Sequence, residues 1–349
     1  MTRVLLAAAV FAASAPRAQE REISVGARKQ FFIDHKFIDS AEGVSLVMNA
    51  PQRTGEVLLQ ADAAWEKRLR VGSYGTVAVE DGRVRLWYQV SGRENPPGKN
   101  PDFLGVAYAE SADGIHFRKP ILGLVEFEGS RQINLVLPAD PRLLSIGGGS
   151  VWRDDNPACP PQERYKSWQK VYPEPGTGIF GPHRIRVSRD GLHWQLPEKR
   201  VAGLRAADTQ PAWFRDPRLG RYVRYSREWV QFEGEGKIRM ASCNESADIH
   251  DWQGMFISLQ PDEWDFAAAL RPQLDAARMR VQGEVWVPAE QKEPTAGDRE
   301  AAPDQDQAPM PGAPVDIYGP EVFPYTEADG VYAALLSAFH NWERRDGGS

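Results

Sequence analysis

The side chains in this sequence whose types and places could do chemistry are carboxylates. Asp208, Asp316 and Glu321 stand in stretches that otherwise read as buried strand. Asp208 lies 14 residues before Tyr222, and Asp316 lies 16 before Tyr332, so the two fall at matching places in successive units of the chain. Two carboxyl groups flanking a glycosidic bond can break it: one protonates the leaving oxygen, and the other attacks the anomeric carbon or activates water. An acid close to other acids also has its pKa raised, which equips it as a proton donor. Two plainer roles stand beside this one. Asp commonly caps turns by accepting backbone N–H groups, and grouped carboxylates can hold a hard cation such as calcium as a structural ion. The spacing does not demand an ion, and no cofactor is expected.

Weaker candidates surround these three. Asp216, in the string Phe214-Arg215-Asp216-Pro217, sits where a hairpin turn is predicted. Asp34 and Asp39 lie in FFIDHKFID, and Glu228 lies beside Trp229 as a candidate rim acid. Arg70, Arg184 and Arg227 could bind hydroxyls or carboxylates, although surface pairing is their default. Tyr74, Trp213 and Tyr318 lie on or beside the predicted inner strands, and their flat apolar faces with a polar edge suit stacking on a sugar ring. Most of the 11 Trp and 10 Tyr read instead as core residues of strands. The sequence has no Gly-rich phosphate loop with a Lys, no CxxC, no HExxH and no G-x-S-x-G, and the glycine run at 147–149 is not followed by a helical pattern.

The elements that must position these groups are strands. Short β-branched or aromatic runs bounded by Gly, Asp, Asn and Pro recur along the chain. A first copy runs through 84–90 (VRLWYQV) and 105–110 (GVAYAE) to Ser111-Ala112-Asp113-Gly114-Ile115-His116-Phe117. A second runs through 165–171 and 183–187 to Ser188-Arg189-Asp190-Gly191-Leu192-His193-Trp194. A third ends in a degraded version, Ser246-Ala247-Asp248-Ile249-His250-Asp251-Trp252, and a fourth begins at 330–339. Such units of three or four strands are the sequence form of β-propeller blades. Asp-Gly is a hairpin turn needing positive φ, so His116, His193 and His250 are expected to be structural and equivalent from blade to blade. The predicted inner strands are 71–79, 145–152, 207–214 and 315–325. Alternation puts Asp316 and Glu321 on opposite faces unless Gly319-Pro320 bends the strand. The one fair helical segment is 264–279, interrupted by Pro272.

Composition sets the outer limits. The 349 residues, 42% hydrophobic and 26% charged, can build a sizeable core. A net charge of −6 offers no field to attract nucleic acid or anionic lipid. Residues 1–15 read as a signal peptide: Arg3, a short apolar run, then Ala13-Ser14-Ala15. That run is too short to span a membrane, so a secreted or periplasmic protein without a membrane span is expected. Residues 16–349 then form the propeller, with a mobile loop at 289–314 and the last blade or blades missing. Cys159 and Cys243 are expected as thiols rather than a bridge.

The segments SADGIHF, SRDGLHW and FRDPRLGRY resemble the five-bladed propellers of glycoside hydrolase families 32 and 43. FFIDHKFIDS, RVGSYGTV, YAESADGIHFRKPILGLVEF, DPRLGRYVRY and VDIYGPEVFPY are similar to a group of exported bacterial proteins described as family 32 N-terminal-like. The likeness extends from Gln30 to Asn341. It implies an all-β, five-bladed fold of the glycosidase type, incomplete at the C-terminus, whose acids project from the innermost strands around a central funnel. It further implies an oligo- or polysaccharide partner and a glycoside hydrolase, with Asp208, Asp316 and Glu321 as the catalytic set. A non-catalytic carbohydrate-binding propeller and a scaffold propeller are the alternatives. The predicted inner strands of the first two units hold no acid, and the Trp-Met-Asn-Asp-Pro string of family 32 is absent.

Overall fold

The computed structural model describes residues 29–31, 37–47, 52, 54–92, 104–138, 143–145, 150–171, 183–204, 209–232, 236–259, 315–325, 328 and 330–340. The signal segment, Asp34, Asp208, the helical candidate at 264–279 and the loop at 289–314 lie outside them. The chain divides into a small unit, Met1–Gln52 with Thr326–Asp329, and a large one, Arg53–Tyr325 with Gly330–Ser349. The described part of the small unit has no helix or strand. Everything that follows belongs to the large unit.

Its regular structure among the described residues is antiparallel strand, apart from two 3-10 turns at Ala64–Glu66 and Pro161–Glu163. The first sheet is a meander of β1 (Arg70–Glu80), β2 (Arg83–Ser91), β3 (Leu104–Ser111) and β4 (Leu135–Leu137), paired in that order. The second is built on β7 (Tyr165–Val171) and β8 (His183–Ser188). Two short strands, β5 (Leu143–Ser145) and β6 (Val151–Arg153), share the edge of β7, while β9 (Trp194–Gln195) and β10 (Arg200–Val201) pair with β8. The third sheet is β11 (Ala212–Asp216), β12 (Arg221–Phe232), β13 (Gly236–Asp248) and β14 (Asp251–Leu259), and the fourth is the pair β15 (Val315–Pro324) and β16 (Tyr332–His340).

Successive first strands meet: β1 touches β6, β6 touches β11, and β11 touches β15. That is the arrangement of propeller blades, with three full blades and one two-stranded blade among the described residues. Of the predicted inner strands, the second is described at its two ends, as β5 and β6, and the described strand of the third runs from Ala212.

Burial explains why these sequences do not alternate simply. Trp87 and Tyr88 are neighbours on β2, and both are buried, because a blade is covered on both faces. Trp87 packs with Tyr108, Val151 and Tyr165, between the first and second blades. Tyr88 packs with Val90, Ala107, Ile133 and Leu135 on the other face of the first blade. Trp152, Trp168, Trp213, Tyr222 and Trp252 form the next inter-blade cluster, with the Trp152 and Trp213 rings stacked at 6.0 Å. Side chains of this size each contribute about 2–3 kcal/mol on full burial.

The recurring turn is held by its own side chains. Ser111 Oγ accepts the N–H groups of Asp113 and Gly114, and Asp113 Oδ1 accepts those of Ile115 and His116. His116 Nδ1 lies 2.7 Å from Asp113 Oδ2. Ser188, Asp190 and His193 repeat every one of these contacts. In the third copy Ile249 replaces the glycine, and Asp248 Oδ1 bonds only the N–H of His250. His116 and His193 are therefore equivalent, but the expectation fails for His250, which directly follows Ile249 and takes the place of Ile115 and Leu192, with Asp251 where the other two copies have histidine. Gly191, at φ 76°, also closes the blade interface: its carbonyl accepts Trp87 Nε1–H at 2.7 Å, and a Cβ there would stand 2.6 Å from the Trp87 ring.

Candidate functional site

The four inner strands enclose a cavity of about 520 Å³ on the axis where the blades meet. Each blade supplies part of the wall: Tyr74 to Ala78 from β1, Ser150 to Arg153 around β6, Gln210 to Trp213 leading into β11, and Glu321 to Phe323 from β15. Blade-to-blade hydrogen bonds fix the wall. Thr76 Oγ1 accepts the N–H of Val151 at 3.1 Å, and Ser150 Oγ donates to the carbonyl of Pro211 at 3.3 Å. Gln210 Nε2 donates to the carbonyl of Gly75 at 2.9 Å, joining third blade to first. The β1–β2 register slips between Val71 and Gly75. Gly72 and Gly75 allow this close approach, since a Cβ would come within 2.6 Å of Gln89 at the former and 2.9 Å of the Trp87 carbonyl at the latter. Tyr74 is carried at this irregularity and faces the cavity.

Glu321 is the acid that the described residues bring to the cavity wall. It is half-buried, and burial pushes its carboxyl from the ordinary 4.5 up to about 7. The carboxyl can thus hold a proton at neutral pH and release it within the physiological range, which is the requirement for a general acid. The bend anticipated at Gly319-Pro320 takes the form of a register slip between Ile317 and Gly319. Asp316 pairs with Phe339 and Glu321 with Leu335 in the backbone register of the fourth blade.

The other sequence candidates fall as follows. Trp213 lines the cavity together with Tyr74. Tyr318 is not in the wall: the guanidinium groups of Arg227 and Arg239 stack on its ring at 5.6 and 5.5 Å. Asp216 caps the turn, as expected, accepting the N–H groups of Arg218 and Leu219 at 2.8 and 3.1 Å and the hydroxyl of Tyr332. Burial would raise its pKa, but these hydrogen bonds hold it below the ordinary value. Arg184 is engaged with the carbonyls of Leu196 and Pro197 and with Glu198. Glu228 is a half-buried residue of β12 outside the cavity wall. Among the described residues no group of three His, Cys, Asp or Glu is placed to hold a metal ion, and no helix is long and apolar enough to cross a membrane.

The sequence reading missed Glu80, the last residue of β1, one position past the predicted strand. Arg85 reaches it at 3.0 Å and Arg153 at 3.6 Å, and Tyr165 donates its hydroxyl to it. Burial alone would raise its pKa, yet the hydrogen bonds from Tyr165 and Arg85 keep it below the ordinary value. Glu80 is an ionised clamp between the first two blades and a poor proton donor.

No family model matches the chain, and no curated protein does. Among solved structures it is similar to an N-acetylgalactosamine deacetylase from F. plautii in complex with blood group B trisaccharide, at 17% identity over 56% of this chain and 55% of that one, with a TM-score of 0.36. It is similar to a family 117 glycoside hydrolase produced by Zobellia galactanivorans, at 12% identity over 54% and 56% of the two chains, with a TM-score of 0.33. It is also similar to an α-L-arabinanase of Cellvibrio cellulosa, at 10% identity over 82% and 76%, with a TM-score of 0.40. The chain spans little more than half the length of the first two of these proteins.

Proposed function

We propose that this is a carbohydrate-active protein, exported to the periplasm or beyond the cell, that takes an oligosaccharide into the axial cavity and cleaves a glycosidic bond with Glu321 as general acid. The observation that carries the reading is Glu321 itself: a carboxyl group in the wall of a 520 Å³ cavity, with burial pushing it up to about 7. Tyr74 and Trp213 offer rings to the sugar within the same wall. Hydrolysis needs a second carboxyl, and Asp316, five residues before Glu321 on the same strand, is its first candidate, with Asp208 the other. The test is turnover of a panel of plant, algal and host oligosaccharides by the purified chain. Glu321→Gln, and whichever of Asp316→Asn and Asp208→Asn removes the second carboxyl, should abolish hydrolysis while leaving the circular dichroism spectrum unchanged. Full turnover by Glu321→Gln would overturn the assignment.

One observation favours a second reading, a glycan-binding propeller without catalysis: Glu321 is the lone carboxylate of the cavity wall among the described residues. Binding by calorimetry with no product formed over long incubation would select it.

A further inference from the structure

In the second blade, behind the cavity-wall residue Trp152, a thiol and a buried amine face each other. Lys166, on β7, is 3% exposed, and its Nζ lies 3.2 Å from Cys159 Sγ. The amine is held in place by Asp154 Oδ2 at 3.0 Å and by the carbonyl of Glu163 at 2.7 Å. Asp154 is itself buried and accepts the hydroxyl of Tyr222 at 3.1 Å, which ties the site to the third blade. Cys159 differs from its partners in being only half-buried, so a small oxidant can reach its sulfur. A lysine with this little freedom, aimed at a sulfur from within the fold, is an unusual arrangement, because Lys is almost never fully buried unless paired.

We propose that Cys159 and Lys166 form a covalent sulfur–nitrogen cross-link when the protein meets a peroxide. The peroxide oxidises the thiol to a sulfenic acid and is reduced to water. Lys166 then passes one ammonium proton to Asp154, and the freed lone pair of Nζ attacks Sγ. The S–O bond breaks, and the departing hydroxide leaves as water with a second proton from the nitrogen. The product is a sulfenamide, Cys–S–NH–Lys, and the pair has lost two hydrogens overall. The geometry supplies what the second step needs: a nucleophile already in contact with the sulfur and a carboxylate positioned to take the proton. Thiols return the sulfenamide to the starting pair, so the cross-link is reversible. Burial raises the Cys159 pKa against the opposing influence of Lys166, so the first step is slow and calls for peroxide in excess.

The test is tryptic mapping of the folded chain after treatment with hydrogen peroxide and blocking of free thiols. The expected product joins the peptide 154–164 to the peptide 165–170, lighter than their sum by two hydrogens, with cleavage after Lys166 lost and restored by dithiothreitol. Lys166→Arg keeps a cation beside Asp154 but removes the amine, so its Cys159 should proceed to sulfinic acid with no cross-link. Cys159→Ser should keep cleavage after Lys166 under all conditions. Cys159 found only as sulfinic or sulfonic acid in the unaltered chain, or only in a disulfide with Cys243 or a second copy, would overturn the proposal.

Discussion

Replacing Glu321 by Gln gives a sharp prediction, because its sign reverses the usual cost of mutating a site. A carboxyl raised from 4.5 to about 7 by burial is less willing to ionise in the fold than in the unfolded chain. At about 1.36 kcal/mol per tenfold change in acidity, the ionised form costs at most about 3 kcal/mol. The group is only half-buried, so solvent screens the charge, and a cost of about 1–2 kcal/mol is the better expectation. Below pH 4.5 both states carry the proton and the cost vanishes. It grows as pH rises from 4.5 towards 7 and is constant above about 8. Gln keeps the shape and never ionises. Glu321→Gln should therefore match the parent at pH 4 and exceed it by about 1–2 kcal/mol at pH 8, while losing turnover at both. Urea denaturation of both proteins across this range measures the difference. A stability difference that does not change with pH would refute the assignment of a raised pKa to this carboxyl, and with it the proton-donor role.

Three further outcomes follow from the packing and the turns. Gly191→Ala should cost about 1–3 kcal/mol by overpacking against Trp87, whereas Gly129→Ala, also at positive φ but with open space around it, should cost about 1 kcal/mol or less; thermal unfolding of the two separates clash from backbone strain. In a histidine NMR titration, His116 should titrate above 6.5 because of Asp113, and His250 below it because of burial; Asp113→Asn should return His116 towards the ordinary value, and an unchanged His116 would contradict the turn geometry. Tyr74→Ala should weaken oligosaccharide binding by about 1 kcal/mol, several-fold in Kd by calorimetry, with little loss of stability.

What could be read from the sequence was whatever is decided within a few residues. The Asp81-Gly82 turn takes positive φ at both positions, and the Ser-x-Asp-Gly-x-His element closes on itself through contacts two and three residues apart. Such bonds depend on local chemistry alone, so the repeats and the blade count of the described region were legible in advance. The fourth inner strand, with Glu321 on it, was legible for the same reason.

The tertiary structure decided the rest, because a blade's neighbours are set by rotation about the axis rather than by spacing along the chain. Trp87 finds the carbonyl of Gly191 across 104 residues, and Gln210 finds that of Gly75 across 135. Glu80 and Glu321 are both strand glutamates in the sequence. One meets Arg85 of its own blade and Arg153 and Tyr165 of the adjoining one and stays ionised, while the other meets the cavity and is pushed up to about 7. Tyr74 and Tyr318 are divided in the same way, the first turned into the cavity by a register slip and the second packed under two arginines. Residue type fixes what a side chain can do. Which of two like residues does it depends on the charges and surfaces that the fold brings beside each, and many of those come from other blades.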